Sequence, residues 1–150
     1  GAEVVLSGAT YQDAYDKAME IQQQQGATFV HPFDDAEVIA GQGTIGLELL
    51  QQAPKLDAVV VPVGGGGLVS GIAVALKEQN PQIEIIGVEA AAFPSARLSL
   101  AQNRVVAAGQ MASLADGIAV KQVGDMPLSL MAAMSTRWSA SRRRRSRGRF

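Results

Sequence analysis

The chain has 150 residues, 47% of them apolar, which fits one globular domain with its own core. The absence of cysteine excludes disulfides and thiolate metal sites, and no run of 18 apolar residues is present, so we expect no membrane span and a cytoplasmic location. The net charge of −1 hides two unlike segments: residues 1–134 carry 14 acids and 6 bases, whereas residues 135–150 carry seven arginines and no acid.

The first 31 residues predict a helix between two short strands. Glu3–Leu6 and Thr28–Val30 are largely apolar runs typical of strands. Between them, Thr10 and Asp13 have the spacing of a capping box, and apolar residues at helical intervals follow until Gly26.

After His31-Pro32, helices and strands alternate along the chain. Strands are expected over residues 58–63 and 83–88, and helices over residues 41–53, 68–79, 93–102 and 127–134, with residues 105–121 irregular or a short helix. This alternation indicates βαβ units and therefore an α/β fold, an open and mostly parallel sheet with flanking helices.

Four consecutive glycines, Gly64–Gly67, separate the strand that ends at Val63 from the helix predicted to begin at Leu68. Glycine lets the backbone approach a ligand closely, and the N-terminus of the following helix presents unpaired N–H groups and a positive dipole end. A glycine that merely continued an element would cost roughly 0.5–1 kcal/mol relative to alanine. The pattern therefore favours a phosphate cradle over a flexible loop.

Two nucleotide-binding motifs fit the glycines poorly. A P-loop needs Lys followed by Ser or Thr, and here Leu68-Val69 follows. A dinucleotide fingerprint fails in every register, because Val69, Ser70 or Leu68 stands where a glycine is required. Glu89 imitates the ribose-binding acid about twenty residues further on, so a non-catalytic Rossmann-type nucleotide or phosphate-binding module stays open as an alternative.

Several motifs in a fixed order carry a family resemblance. They are His31–Asp35 (HPFDD), Ile39–Thr44 (IAGQGT), Val61–Ala73 (VPVGGGGLVSGIA), Ile86–Glu89 (IGVE) and Ala115–Gly117 (ADG). Together they resemble the threonine/serine dehydratase branch of the fold type II pyridoxal-phosphate enzymes, which includes serine racemases. The resemblance covers Gly1 to about Met134 and implies a tryptophan synthase beta-like fold. It also implies pyridoxal phosphate as cofactor and the loss of water and ammonia from a small hydroxy amino acid, threonine or serine.

The resemblance assigns the cofactor phosphate to the backbone amides of Gly64, Gly65, Gly66 and Gly67 with Leu68, where a side chain would have to share space with phosphate oxygens. It also places Gly117 beside the pyridine ring. Glu89 resembles the first carboxylate of a divalent-cation site, but Ser95 stands where the second acid is expected. We therefore expect Glu89 to be a solvent-exposed acid at a strand end rather than a metal ligand.

The remaining polar residues give no complete catalytic site. In this family the Schiff-base lysine lies upstream of the segment present here, and none of the four lysines of this chain matches its motif. We thus expect an incomplete fold, no catalytic residue and no turnover by this chain alone, whereas the intact enzyme is expected to be a homo-oligomer. His31 is expected to be a structural turn residue. Asp34 and Asp35 either face the active-site entrance or start a helix.

Residues 135–150 have no counterpart in the family. A basic arm for nucleic acid or anionic lipid is one interpretation. We favour a frameshift, because a reconstructed GC-rich coding sequence for these residues, read one base earlier, encodes Val-Asp-Glu-Val-Val-Ser-Val and then an acidic helix start, as expected in the family. The sequence therefore predicts a partial cofactor-binding domain over residues 1–134, a frameshifted arginine-rich tail, and neither a nucleic-acid nor a membrane partner.

Overall fold

The computed structural model describes residues 1–109 and 115–134, together with the backbone of residues 137–141. The chain forms two compact units, Gly1–His31 and Pro32–Phe150. The elements in chain order are α1 (Tyr11–Gln25), α2 (Ala36–Gln52), β1 (Ala58–Pro62), α3 (Gly67–Gln79), β2 (Glu84–Ala90), α4 (Ser95–Gln102), a 3₁₀ turn (Asp116–Ile118), α5 (Asp125–Ala133) and β3 (Arg137–Ser141).

The first unit is built on α1, whose ends match the sequence prediction. The Thr10 hydroxyl accepts from the Asp13 N–H at 3.3 Å, and the Asp13 carboxylate accepts from the Thr10 N–H at 2.9 Å, which completes the capping box. Gly26 ends the helix with φ 65°. The strands predicted at residues 3–6 and 28–30 are wrong, because these segments have no strand structure. A short apolar run forms a strand only beside a partner, and neither segment pairs with a described strand.

The second unit contains a parallel sheet in the order β1-β2-β3, so the predicted α/β class is confirmed. Ala58 lies opposite Glu84, and Ile86 lies opposite Arg137. Helix α3 is the crossover between β1 and β2. The core between sheet and helices contains Val61, Val63, Val69, Ile72, Leu76, Ile83, Ile85 and Met131. No helix in the described part of the chain is long and apolar enough to cross a membrane.

Helix α2 begins at Ala36, five residues before the predicted start at Gly41. The Asp35 carboxylate caps it by accepting from the N–H groups of Glu37 and Val38 at 2.9 and 3.1 Å. Of its three glycines, Gly43 and Gly46 are buried and serve packing, whereas Gly41 is exposed and does not initiate the helix. An ideal Cβ at Gly43 would lie 3.1 Å from the Gly71 carbonyl oxygen of α3, so these two helices approach each other closely where neither carries a side chain.

The sheet continues into the arginine-rich segment. Strand β3 (Arg137–Ser141) pairs with β2 beyond the predicted boundary at residue 134. Residues 135–136 and 142–150, and with them most of the predicted tail, lie outside the described residues, as do residues 110–114 of the predicted irregular segment. The frameshift therefore stays a prediction.

Candidate anion-binding site

The glycine loop lies at the carboxyl end of β1, as the sequence predicts. Val63 is buried, and its N–H donates to the Val88 carbonyl at 2.9 Å, so the sheet holds the start of the loop. Gly66 then adopts φ 96° and ψ −8°, a left-handed conformation that L side chains rarely take, and serves as the N-cap of α3. The helix starts at Gly67, one residue before the predicted Leu68.

A run of backbone N–H groups at this point has no acceptor among the described residues. No described residue accepts a hydrogen bond from any of the amides of residues 64–69, and the first intrahelical bond runs from the Ser70 N–H to the Gly66 carbonyl at 3.0 Å. The first turn of α3 carries no acid, and its N-cap has no side chain. These donors and the positive end of the helix dipole together form a site suited to a multiply charged anion such as a phosphate.

Protein atoms occupy the positions where side chains at Gly65, Gly66 and Gly67 would lie. An ideal Cβ at Gly65 would overlap the Phe33 ring, and one at Gly67 would lie 2.8 Å from the Phe33 carbonyl oxygen. An ideal Cβ at Gly66 would lie 2.8 Å from Pro127 Cβ. Neighbouring chain segments therefore require glycine at these positions, and the expected competition of a side chain with phosphate oxygens stays a prediction.

The turn containing Gly117 lies beside the loop. An ideal Cβ at Gly64 would come within 3.2 Å of Ile118 Cα. Gly117 is exposed, and its N–H donates to the Asp116 carboxylate at 2.8 Å. The structure therefore brings Gly117 into the neighbourhood of the glycine loop, while its contact with a cofactor ring stays a prediction.

Glu89 is buried, with 2% of its surface exposed, so the expectation of a solvent-exposed acid is wrong. Its carboxylate accepts from the N–H groups of Ala96 and Arg97 at 2.6 and 3.1 Å and thereby caps α4. Burial raises the pKa of Glu89, and the two amide hydrogen bonds with the Arg97 charge offset part of that rise. The described residues contain no group of three or more His, Asp or Glu side chains that could hold a metal ion.

The other polar candidates have contacts within their own unit of the chain. His31 packs in the first unit with Tyr15 and Phe29, with ring centroids 6.1 and 6.0 Å away. The Lys17 ammonium pairs with Glu20 at 2.8 Å, and the Lys77 ammonium donates to the Pro81 carbonyl beyond the far end of α3. Within the second unit, the contact of Lys77 thus lies at the opposite end of α3 from the glycine loop.

The chain matches the family described as "Pyridoxal-phosphate dependent enzyme" over residues 1–140. It belongs to the pyridoxal-phosphate dependent enzyme family. This membership agrees with the loop geometry, since the phosphate of the cofactor is an anion of the kind that six amides and a helix N-terminus can hold. The amides of residues 64–69, called the cradle from here on, therefore fit the cofactor phosphate. The nucleotide-binding alternative is not favoured.

Two curated relatives of this pyridoxal-phosphate family member carry the same name. The chain is 55% identical to the L-threonine ammonia-lyase of Geobacter sulfurreducens over 124 residues, which cover 83% of this chain and 31% of that protein. It is 50% identical to the L-threonine ammonia-lyase of Thermotoga maritima over 131 residues, which cover 87% of this chain and 33% of that protein. The chain thus spans about a third of the length of these relatives.

Solved structures in the same family share the fold. The processed form of threonine deaminase isoform 2 from Solanum lycopersicum superposes with a TM-score of 0.85 at 38% identity, covering 91% of this chain and 40% of that one. Maize serine racemase superposes with a TM-score of 0.84 at 31% identity, covering 91% of this chain and 43% of that one. The predicted fold type II relationship is confirmed.

Sequence reasoning missed the residues that support the loop from outside. Phe33 covers Gly65, and Asp34 accepts hydrogen bonds from the N–H groups of Asp125 and Met126. Asp34 therefore lies at a helix N-terminus as one interpretation suggested, but the helix is α5, about ninety residues away in sequence. The sequence signal for this support was the HPFDD motif, His31–Asp35. A helix start needs only one capping residue, so the rest of the motif pointed to a further role.

Proposed function

We propose that this chain supplies the phosphate-binding part of the cofactor site in a pyridoxal-phosphate dependent ammonia-lyase that acts on threonine or serine. The proposal rests on the amides of residues 64–69, which have no acceptor in the described part of the chain and lie between a parallel strand and a helix N-terminus. The names of the relatives, L-threonine ammonia-lyase, support threonine as the substrate.

In this proposal the residues of the chain bind and orient rather than transfer protons. Gly64, Gly65, Gly66, Gly67 and Leu68 hold the cofactor phosphate through backbone N–H groups, and the turn with Gly117 borders the ring. When bound, pyridoxal phosphate supplies the electron sink for the carbanion at the substrate Cα. The covalent chemistry also needs a lysine. Among the described residues, the contacts of the glycine loop include no lysine.

The proposal extends to the setting in which the site works. We expect no turnover by this chain alone, a cytoplasmic location, and a homo-oligomeric intact enzyme, as the family resemblance implies. The boundary of the cofactor-binding domain at residue 134 and the frameshifted tail remain parts of the same proposal.

A chimaera tests the function without requiring activity from the isolated chain. The matching 131-residue segment of the Thermotoga maritima relative is replaced by the corresponding segment of this chain. We expect the chimaera to bind pyridoxal phosphate and to release ammonia from threonine or serine. A matched chimaera that carries Gly66→Val is expected to bind the cofactor weakly. A chimaera that folds and binds the cofactor but releases no ammonia from either amino acid contradicts the proposal.

A further inference from the structure

One peptide of the cradle is held by a hydrogen bond from outside the loop. The Gly124 N–H donates to the Gly65 carbonyl oxygen at 3.0 Å. In a trans peptide the C=O and the following N–H point in opposite directions, and the described chain has no cis peptide bond. The bond from Gly124 therefore fixes the direction of the Gly66 N–H, one of the unpartnered donors.

Gly124 is itself held by a side chain from a distant part of the chain. The Asp34 carboxylate accepts from the N–H groups of Asp125 and Met126 at 3.1 and 3.0 Å. An ideal Cβ at Gly124 would lie 2.5 Å from Asp34 Cγ, so the carboxyl group packs directly on this glycine. Asp34 thereby satisfies two of the N–H groups that the start of α5 leaves unpaired.

Two further contacts join the start of α5 to the glycine loop. Pro127 Cβ lies 2.8 Å from the position of an ideal Cβ at Gly66. The fully buried Ser70 hydroxyl, in the first turns of α3, donates to the Pro127 carbonyl at 3.4 Å. The first turn of α5 therefore forms part of the support of the cradle, and Asp34 is the side chain that holds this turn.

We propose that Asp34 is a positioning residue of the anion cradle. Through the amides of Asp125 and Met126 it fixes Gly124, and Gly124 fixes the peptide that presents the Gly66 N–H. The inference deepens the proposed function and rests on it, because the cradle is taken to hold the cofactor phosphate. Asp34 itself touches neither the cofactor nor the substrate in this role.

The chain offers a matched control in the next residue. Asp35 also accepts two backbone N–H bonds at a helix N-terminus, from Glu37 and Val38, but that helix is α2. An alanine at either position removes one carboxylate cap with two hydrogen bonds. Only the Asp34 variant removes a cap that is linked to the cradle through hydrogen bonds.

The experiment is a titration of the ¹⁵N-labelled 150-residue chain with inorganic phosphate, followed through the amide shifts of residues 64–69. Because these shifts report the loop alone, phosphate binding by the arginine-rich segment does not contribute to the measured affinity. We expect Asp34→Ala to weaken phosphate binding by about fivefold or more. Asp34→Asn keeps only one of the two acceptor oxygens, because Asp125 and Met126 donate to different oxygens of Asp34, so its loss is expected to lie between wild type and Asp34→Ala. Asp35→Ala is expected to match wild type.

Each other outcome overturns the inference. Wild-type affinity in Asp34→Ala, or an equal loss in Asp35→Ala, leaves Asp34 without a specific role in the cradle. Should Asp34→Ala not fold, hydrogen exchange in the wild-type chain decides: phosphate must slow exchange of the Asp125 and Met126 amides, because the coupling is reciprocal, and unchanged exchange refutes the inference. Absence of loop shifts in the wild-type chain refutes the proposed function as well, which separates that failure from a failure of Asp34 alone.

Discussion

Gly66→Ala is the substitution whose cost follows most directly from the loop geometry. With φ 96°, Gly66 is in a conformation that costs an L residue roughly 1–2 kcal/mol. The added Cβ would also lie 2.8 Å from Pro127 Cβ and 3.3 Å from Met131 Cε, and such overpacking typically costs about 1–3 kcal/mol. We expect the free energy of unfolding to fall by about 2–5 kcal/mol, a large share of the ~5–15 kcal/mol of a natural domain.

Urea denaturation followed by circular dichroism measures this loss, with Gly41→Ala as the matched control. Gly41 is exposed within α2, and an ideal Cβ there meets nothing within 4 Å. Alanine at that position should therefore stabilise the chain by about 0.5–1 kcal/mol. A loss below about 0.5 kcal/mol in Gly66→Ala, within the range of ordinary surface substitutions, would refute the assigned backbone conformation and packing.

Further outcomes follow from other parts of the structure. Gly71→Ala places a Cβ onto the Ile39 carbonyl oxygen, so the unfolding free energy in urea should fall by about 1–3 kcal/mol; no loss contradicts the close packing of α2 on α3. Thr10→Ala removes the α1 capping box and should cost about 1 kcal/mol in the same assay, and an unchanged midpoint contradicts it. Because burial raises the pKa of Glu89 above its unfolded value, its contribution to stability is complete at low pH and is lost as pH rises through the folded pKa. The fall in unfolding free energy from about pH 4 upward should thus be smaller in Glu89→Gln, and an equal pH slope in both proteins contradicts the role of Glu89. Sequencing the coding DNA for residues 135–150 should show a Val-Asp-Glu-type strand in the minus-one frame; any other reading there removes the frameshift hypothesis.

The sequence predicted the parts of the fold that depend on local pattern. A continuous apolar run before Gly64 defines β1, and apolar residues at helical spacing after Gly67 define α3. The two elements differ in the sequence spacing of the apolar residues that they bury. The capping box at Thr10 was equally local, since its two hydrogen bonds span three residues. The position of the glycine loop between β1 and α3 followed from the same segment.

The errors concern features that depend on distant partners. Residues 3–6 and 28–30 have strand-like composition, but a strand needs a neighbour, which composition does not supply. Gly41 marked no helix start, because Asp35 caps α2 earlier, and only Gly43 and Gly46 accommodate α3. The burial of Glu89 depends on α4 folding back over the strand end, and its two amide donors are seven and eight residues further along the chain. The link from Asp34 to α5 is longer still, so no local pattern could reveal it.

The claim that residues 64–69 hold the phosphate of pyridoxal phosphate is tested most directly by comparing two ligands that differ only in that group. The ¹⁵N-labelled chain is titrated with pyridoxal phosphate and, separately, with pyridoxal, and the amide shifts of residues 64–69 are followed. We expect saturable shifts of these amides with pyridoxal phosphate and none with pyridoxal at the same concentrations, because the unpartnered N–H groups bind the phosphate. Equal shifts with both ligands, or shifts confined to residues outside this segment, would contradict the claim.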